Sequence, residues 1–295
     1  IAIPLALQQI LNQAAGFVDT IMVSQINGVG AVAVATQLDT IMMNVGFGIN
    51  SGAGMYAAQF YGARDYKSLR KIFGLKIIIN FINAAIFMAL ALLFGNAILG
   101  FYSGDDEVVK LGMSYLSISC FAYIFSSLTN VYSFIYRAIQ KTHIPMYIGM
   151  VVTVVNIVFN YLLIFGKFGL PEMGVAGAAL ATLIATMTGA TIHVVYAYKT
   201  HQPFLGTFNE MFHQSLSFVK PVVKRMMPLI CNEAFFGFGM SLYVKAFGML
   251  GKNALEIYKI GNTVANFFFI FAMGLNNATG LIIGEQLGKQ EMEKA

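Results

Sequence analysis

Apolar and polar positions along this chain are segregated into long blocks. Mostly apolar runs of about 20 residues or more, the length that crosses a bilayer as a helix, are separated by polar segments that are short apart from one at 199–225. Eight such runs lie near 1–24, 31–60, 73–99, 109–136, 146–166, 174–198, 226–250 and 255–284. This pattern predicts eight membrane-spanning helices, and therefore an all-α polytopic membrane protein.

The composition supports the same interpretation. Of the 295 residues, 58% are hydrophobic and only 11% are charged, whereas soluble proteins average about 25% charged residues. The net charge of +5 does not indicate nucleic-acid binding, because the basic residues lie mainly between the apolar runs, where membrane topology places them.

Lysine and arginine are unevenly divided between the two sets of connecting loops. Thirteen of them lie in loops that follow even-numbered spans, three lie in the opposite loops, and Lys245 and Lys259 lie within spans. Because cytoplasmic loops are enriched in basic residues, the loops after even-numbered spans are predicted to be cytoplasmic. The thirteen are Arg64, Lys67, Arg70, Lys71, Lys76, Arg137, Lys141, Lys199, Lys220, Lys224, Arg225, Lys289 and Lys294. On this assignment the interior of the first six spans contains no clear basic residue.

The chain contains a weak internal repeat. "PLALQQILNQAAGFVDT" from Pro4 resembles "PLICNEAFFGFGMSLY" from Pro228, six spans later. An even number of spans restores the orientation, which is typical of a parallel repeat and of two six-helix lobes. We expect a first lobe at 1–198, a cytoplasmic linker at 199–225 and the start of a second lobe at 226–295. Since the chain begins inside an apolar run without methionine, we expect it to be part of a longer protein.

The first span carries three polar residues on one helical face. Gln8, Asn12 and Asp19 are spaced so that they return to nearly the same direction around a helix of 3.6 residues per turn. A carboxylate at the centre of a membrane helix costs about 2.5–3.5 kcal/mol on insertion scales. Gln8 and Asn12 could instead form hydrogen bonds that join neighbouring helices. This explanation suits Asp19 less well, because an amide side chain would join the helices at a lower cost of insertion than a carboxylate.

Other spans contribute further candidates. Asn156 and Asn160 are four residues apart, and therefore on one face of the fifth span; either could donate to a carboxylate, ligate a hard cation or join helices. Glu233 lies in the seventh span close to Pro228. It is either a functional residue inside the membrane or a residue at the membrane interface. Asp39 in the second span is less clear, since proximity to the outer face could keep it solvated.

Three local patterns have structural interpretations. The acidic run "SGDDE" at 103–107 is interpreted as a solvated loop and not as a metal site. Glu256 and Lys259, three residues apart, are predicted to pair with each other. "GINSG" at 48–52 fits a GxxxG motif for close helix packing.

Several stretches together resemble one transporter family. "GFVDTIM", "AAQFYGARD", "NIVFNYLLIFGKFGLPEMGVAGAALATLIA" and the proline-led seventh span resemble the multidrug and toxic compound extrusion (MATE) family, close to its NorM-like branch. The resemblance implies twelve helices in two six-helix lobes around a central cleft, of which this chain covers helices 1 to 8. It also implies a secondary active antiporter that exports cationic or amphipathic compounds in exchange for H⁺ or Na⁺.

Carried over residue by residue, the resemblance assigns ion coupling to five positions. These are Asp19, Asn156, Asn160, Thr182 and Glu233. Some relatives have an aspartate where this chain has Asn160, and Glu233 is closer to its proline than in the NorM-like pattern. Na⁺ is therefore considered at Asp19 or Glu233, with Gln8, Asn12 and Asp39 as candidate cavity residues.

The resemblance also implies partners and a mechanism. We expect an integral multi-pass protein of the bacterial plasma (inner) membrane, with small cationic or amphipathic drug-like substrates, no nucleic acid and a monomeric state at full length. No cofactor is expected beyond the coupling ion. Because removal from water disfavours the charged form of a carboxyl, Asp19 could exchange protons near neutral pH, and its neutralisation would repack spans 1, 2, 5 and 6.

Three alternatives are weighed against this interpretation. A related flippase or exporter of lipid-linked oligosaccharides would need a cavity rich in arginine and lysine for phosphates. An intramembrane enzyme would need a nucleophile–base pair or a ligand motif such as HExxH; the sequence contains neither, so no enzyme activity is expected. A purely structural bundle leaves the cost of Asp19 unexplained.

Overall fold

A computed structural model describes residues 14–266 and residue 283 of the chain, and all of its regular structure in that part is helical. The helices are α1 (Ala14–Ser24), α2 (Val29–Gly62), α3 (Tyr66–Tyr102), α4 (Asp106–Ser119), α5 (Ala122–Ala138), α6 (His143–Ile164), α7 (Gly174–Lys199), α8 (Phe208–Phe212), α9 (Leu216–Met249) and α10 (252–266). A short 3₁₀ turn, Lys167–Gly169, joins α6 to α7.

Four of these helices, α2, α3, α6 and α7, are long and apolar enough to cross a membrane. Helices α4 and α5 are long and apolar enough only when taken together, and they are bent by 54° near Cys120, where the sequence predicted one continuous helix at 109–136. Helix α9 is 34 residues long but is not in this group, because polar residues such as Asn232, Glu233 and Lys245 interrupt its apolar character.

Side-chain caps fix the first two connections. The carboxylate of Asp65 accepts a hydrogen bond from the backbone N–H of Ser68 at the start of α3, and hydrogen bonds from the side chain and the backbone of Ser68 hold the pKa of Asp65 below its usual range. Asp105 caps α4 in the same way, by accepting from the N–H of Glu107 at 2.9 Å. Part of the acidic run at 103–107 therefore begins a helix, as N-terminal acidic residues commonly do.

Two apolar clusters pack the two ends of the helical bundle. The cluster at the predicted outer end includes Val29, Leu99 and Tyr115, while the cluster at the predicted cytoplasmic end includes Ile72 and Tyr136. The polar side chains discussed below lie between or beside these clusters, so that rigid packing at both ends positions them.

Helices α2 and α9 approach each other at glycines. A Cβ atom on Gly48 would lie 2.9 Å from the Cα of Ile230, and one on Gly52 would lie 2.9 Å from the Cγ of Met226. The "GINSG" motif at 48–52 therefore permits close contact between α2 and α9.

The segment 200–215 between α7 and α9 is folded against α3 and α5. Its helix α8 lies so close to α3 that a Cβ on Gly74 would clash with the carbonyl of Met211. Arg70 of α3 forms an ion pair with Glu210 of α8 at 3.0 Å, and the side chain of Phe204 is completely buried. Helix α9 begins at Leu216, earlier than the predicted span at 226–250.

Two sequence-based expectations about basic residues are wrong. Lys76 and Arg137 were counted among the loop residues, but they lie inside α3 and α5, with 0% and 8% of each residue exposed. The second expectation was an ion pair between Glu256 and Lys259, and these residues form none in the part of the chain that the structure describes. There Lys252, one turn before Glu256, pairs with Glu107 of α4 at 3.4 Å.

Candidate functional site

Asp19 forms a hydrogen bond across the first lobe. The amide nitrogen Nδ2 of Asn160, on α6, donates to the Oδ1 of Asp19, on α1, at 3.0 Å. Asp19 is half-buried and Asn160 is fully buried. The polar face predicted for the first span therefore does reach the polar face of the fifth, although Gln8 and Asn12 lie outside the described residues.

The hydrogen bonds continue from Asn160 to α7. Nδ2 of Asn160 also donates to the Oδ1 of Asn156 at 3.2 Å, and Nδ2 of Asn156 donates to the hydroxyl of Thr182 at 3.5 Å. The hydroxyl of Thr182 donates in turn to the carbonyl of Ala178, one turn back on α7. Four of the five predicted ion-coupling residues thus belong to one connected cluster, called the acidic cluster below.

This cluster offers oxygen atoms to a hard cation. The side-chain oxygen Oδ1 of Asn160 is buried and has no hydrogen-bond partner among the described residues, and its amide nitrogen contacts the carboxylate of Asp19. Carboxylate and amide oxygens are ligands that small hard cations accept. No group of three or more His, Cys, Asp or Glu side chains with metal-binding geometry occurs in residues 14–266, so a cation here would depend on amide and hydroxyl oxygens as well.

Two residues near the acidic cluster were not assigned to it from the sequence. The ammonium group of Lys259, on α10, attracts the carboxylates of both Asp19 and Asp39. The side chain of Tyr115, on α4, is buried and lies close to that of Thr182. An isolated tyrosine in an apolar helix gives no sequence signal of such a role, whereas a lysine inside a predicted span does.

A separate cavity of about 630 Å³ lies between α2, α5 and α9. Two carboxylates, those of Asp39 and Glu233, contribute to its wall, together with four asparagines and three phenylalanines. The described residues that line it are Asp39, Thr40, Met43, Asn44, Phe47, Asn50, Asn130, Phe134, Asn232, Glu233 and Phe236. The structure thus divides the predicted site residues between the acidic cluster and this cavity, with Glu233 in the cavity and not beside Asp19.

The arrangement of the cavity suits a positively charged, partly apolar molecule. Its carboxylates provide negative charge, its asparagines provide hydrogen-bonding groups, and Phe47, Phe134 and Phe236 provide aromatic surfaces. Aromatic faces attract cations, and pockets for small molecules generally combine apolar walls with a few polar groups. None of the described lining residues is basic.

Comparisons with known proteins agree on one family. The MatE family model matches residues 4–162 and 228–295, which is most of the chain. A probable multidrug resistance protein, YoeA of Bacillus subtilis, is 25% identical over 297 residues, covering 99% of this chain and 64% of its own length. The probable multidrug resistance protein NorM of Thermotoga maritima is also 25% identical, with 99% and 63% covered.

Solved structures show the same fold. An outward-facing multidrug resistance MATE family transporter of the MOP superfamily superposes with a TM-score of 0.86 at 18% identity, covering all of this chain and 65% of the other. The MATE multidrug transporter DinF-BH gives a TM-score of 0.78 at 21% identity, with 100% and 66% covered. The predicted all-α polytopic membrane fold is confirmed, and the chain spans about two thirds of the length of these structures.

Proposed function

The chain belongs to the MATE family, and from that premise we propose that the whole protein is a secondary active multidrug antiporter. It exports cationic or amphipathic compounds across a bacterial plasma membrane in exchange for H⁺ or Na⁺, and it works as a monomer. Because members of this family are transporters and not enzymes, no catalytic residue is assigned. The chain spans 64% of the length of the first relative. The proposed activity is therefore that of the whole protein, with a cleft between two lobes, and not of this chain alone.

The hydrogen bond between Asn160 and Asp19 is the observation that carries the proposal. A membrane protein that retains a carboxylate among its spans, with a fully buried amide directed at it, has a polar group that packing alone does not require. Binding of a proton or of Na⁺ neutralises this carboxylate without separating the helices that hold it.

Lys259 supplies a route from ion binding to a rearrangement of the lobes. It belongs to α10, in the second lobe, and is attracted to Asp19 in the first. When an ion neutralises Asp19, that attraction is lost, and the balance between the two arrangements of the lobes changes by the corresponding free energy. Asp39 is attracted to the same lysine and also lines the cavity, which links ion binding to the substrate.

The alternative of a flippase or exporter for lipid-linked oligosaccharides receives less support. A phosphate-bearing substrate would need basic groups in the cavity wall, and the described wall has Asp39 and Glu233 instead. Lys76 and Arg137 contact the ring of Phe134, which lines this cavity, but neither of them belongs to the described wall itself.

The test is Asp19→Asn in the full-length protein. The amide retains the size of the side chain and can still hydrogen-bond to Asn160, but it can neither bind a proton near neutral pH nor offer a negative charge to Na⁺. We expect ethidium efflux from cells, normalised to the amount of protein in the membrane, to be abolished. Asp106→Asn, which changes an exposed carboxylate at the start of α4, should leave efflux unchanged.

Two outcomes would count against the proposal. Near-normal ethidium efflux by Asp19→Asn would remove the coupling role from this residue and direct attention to Glu233. Failure of the unmodified protein to export ethidium, under either a proton or a sodium gradient, would contradict the transport function itself.

A further inference from the structure

A second polar cluster lies in the first lobe, and it shares no residue with the acidic cluster or with the cavity wall. It is formed by Lys76 of α3, by Ser133, Tyr136 and Arg137 of α5, and by His193 of α7, and it is called the basic cluster below. No residue of this cluster is more than 8% exposed. All lie towards the ends of their helices that are predicted to be cytoplasmic.

The positive groups of this cluster share one aromatic neighbour. The ammonium nitrogen of Lys76 lies 5.6 Å from the ring centre of Phe134, and the guanidinium carbon of Arg137 lies 4.9 Å from the same centre. A cation–π contact offsets only part of the cost of removing a charge from water. The ammonium of Lys76 has no hydrogen-bond partner among the described residues, so no described polar group there compensates its charge.

Other donors of the cluster are also unused. The hydroxyl of Tyr136 and the Nδ1 of His193 are buried without hydrogen-bond partners among the described residues. The Nε2 of His193 lies 3.4 Å from the hydroxyl of Ser133; if Ser133 donates there, Nδ1 carries the ring hydrogen and is a donor. Buried polar groups are nearly always satisfied, by ordered water or an ion where no protein group is available.

The three helices that carry the basic cluster contribute no negative charge of their own. The sequences of α3, α5 and α7 contain no aspartate or glutamate. An ammonium, a guanidinium and neutral donors without a carboxylate on their own helices form a donor-rich environment. Its chemistry is that of a site for an anion.

The linker determines the size of anion that such a site accepts. Phe204, between α7 and α8, is completely buried, and its ring centre lies 5.3 Å from that of Tyr136 and 4.7 Å from that of Phe73. The contact between Lys141 and Gln202, at 2.8 Å, fastens the same segment over the end of α5. A site closed in this way suits a small, dehydrated anion and excludes a drug-sized one.

We propose that the basic cluster binds a small monovalent anion, chloride under cellular conditions, between α3, α5 and α7. The anion compensates the buried ammonium of Lys76 and accepts hydrogen bonds from Tyr136 and His193. Its effect is to stabilise the first lobe at the end where the linker attaches. This inference does not depend on the coupling role of Asp19, because the two clusters have no residue in common.

Thermal unfolding of the purified full-length protein tests the proposal. Chloride and bromide should raise the unfolding midpoint by several degrees relative to gluconate at equal ionic strength, because an anion that binds only the folded state stabilises it. In Lys76→Met, the difference between chloride and gluconate should disappear. The matched control is Lys71→Met, a lysine of the same helix whose ammonium also lies 5.6 Å from an aromatic ring, that of Phe218; it should retain the chloride effect.

Equal midpoints in chloride and gluconate for the unmodified protein would overturn the proposal. So would a chloride effect of unchanged size in Lys76→Met, which would indicate a general salt effect. If Lys76→Met does not accumulate, Tyr136→Phe preserves the ring packing and removes only the hydroxyl. This variant should need a several-fold higher chloride concentration for half-maximal stabilisation, and an unchanged value would overturn the proposal as well.

Discussion

The acidic and the basic cluster each place a charged group among apolar helices, but they differ in how that charge is compensated. Helix α7 contributes to both, through Thr182 and through His193. The carboxylate of Asp19 accepts a hydrogen bond from an amide donor at 3.0 Å and is attracted by the charge of Lys259 on α10, with which it forms no ion pair among the described residues. The ammonium of Lys76 has neither kind of partner there.

This difference indicates different functions. The acidic cluster is attracted by Lys259 of α10, which also attracts Asp39 in the wall of the cavity, so a change of its charge can be felt at that cavity. The basic cluster lies beneath the linker and is closed by Phe204, so a bound anion would act on local stability. We therefore expect a cation to bind reversibly at the acidic cluster, and an anion to remain bound at the basic cluster.

The largest effect on stability is expected from opening the basic cluster. Phe204→Ala removes a fully buried ring, and such truncations cost about 3–5 kcal/mol. The free energy of unfolding should fall by this order, as measured from denaturant-induced unfolding in detergent. Phe208→Ala, four residues later in the same linker but 75% exposed, should change it by less than about 0.5 kcal/mol.

Comparable destabilisation by both linker variants would show that Phe204 does not close the cluster. The Phe204→Ala substitution should leave the acidic cluster unaffected. Correctly folded Phe204→Ala protein is therefore expected to retain ethidium efflux, which separates the two clusters experimentally.

A smaller effect is expected from removing the amide that supports Asp19. Asn160→Leu is close in size but cannot donate to the carboxylate, and hydrogen bonds to charged groups are worth about 1.5–3 kcal/mol. The rate of ethidium efflux per transporter should fall by about tenfold or more, since 1.4 kcal/mol corresponds to a factor of ten. Asn96→Leu, at an exposed position of α3, serves as the control and should be close to the unmodified protein.

If Asn160→Leu and Asn96→Leu exported ethidium equally well, the hydrogen bond to Asp19 would have no part in coupling. The two clusters would then differ only in charge and not in function.

The sequence predicted much of the acidic cluster and none of the basic one. Apolar run length located the spans, because bilayer thickness fixes helix length. Helical spacing placed Asn156 and Asn160 on one face, and the family resemblance brought that face to Asp19. A carboxylate far from the end of an apolar run is conspicuous, since no loop is available to explain it.

Lys76 was missed because it lies close to the end of its apolar run. Position along the sequence could not distinguish a lysine that extends to the membrane surface from one that turns inward. The packing of α3 against α5 determines which of these two orientations Lys76 adopts. That packing depends on contacts between residues that are distant in sequence. The contribution of Tyr115 to the acidic cluster was hidden for the same reason, because burial of its side chain beside Thr182 follows from the fold and not from local pattern.

The smallest expected effect concerns the attachment of the linker by the ion pair between Arg70 and Glu210. Hydrogen bonds from the backbone N–H of Thr207 and the charge of Arg70 hold the pKa of Glu210 below its usual range. A carboxyl whose pKa is lower in the folded than in the unfolded state stabilises the fold above the unfolded value, and this contribution is lost as the pH falls through the folded value. Attachment of α8 should therefore be unchanged near neutral pH and weaken below about pH 4.3, the usual value for glutamate. Hydrogen exchange at the N–H of Glu210 and its neighbours, corrected for the intrinsic pH dependence of exchange, measures this. Glu210→Gln should abolish the acid-dependent change, and an equal change in that variant would assign the loss of protection to another group.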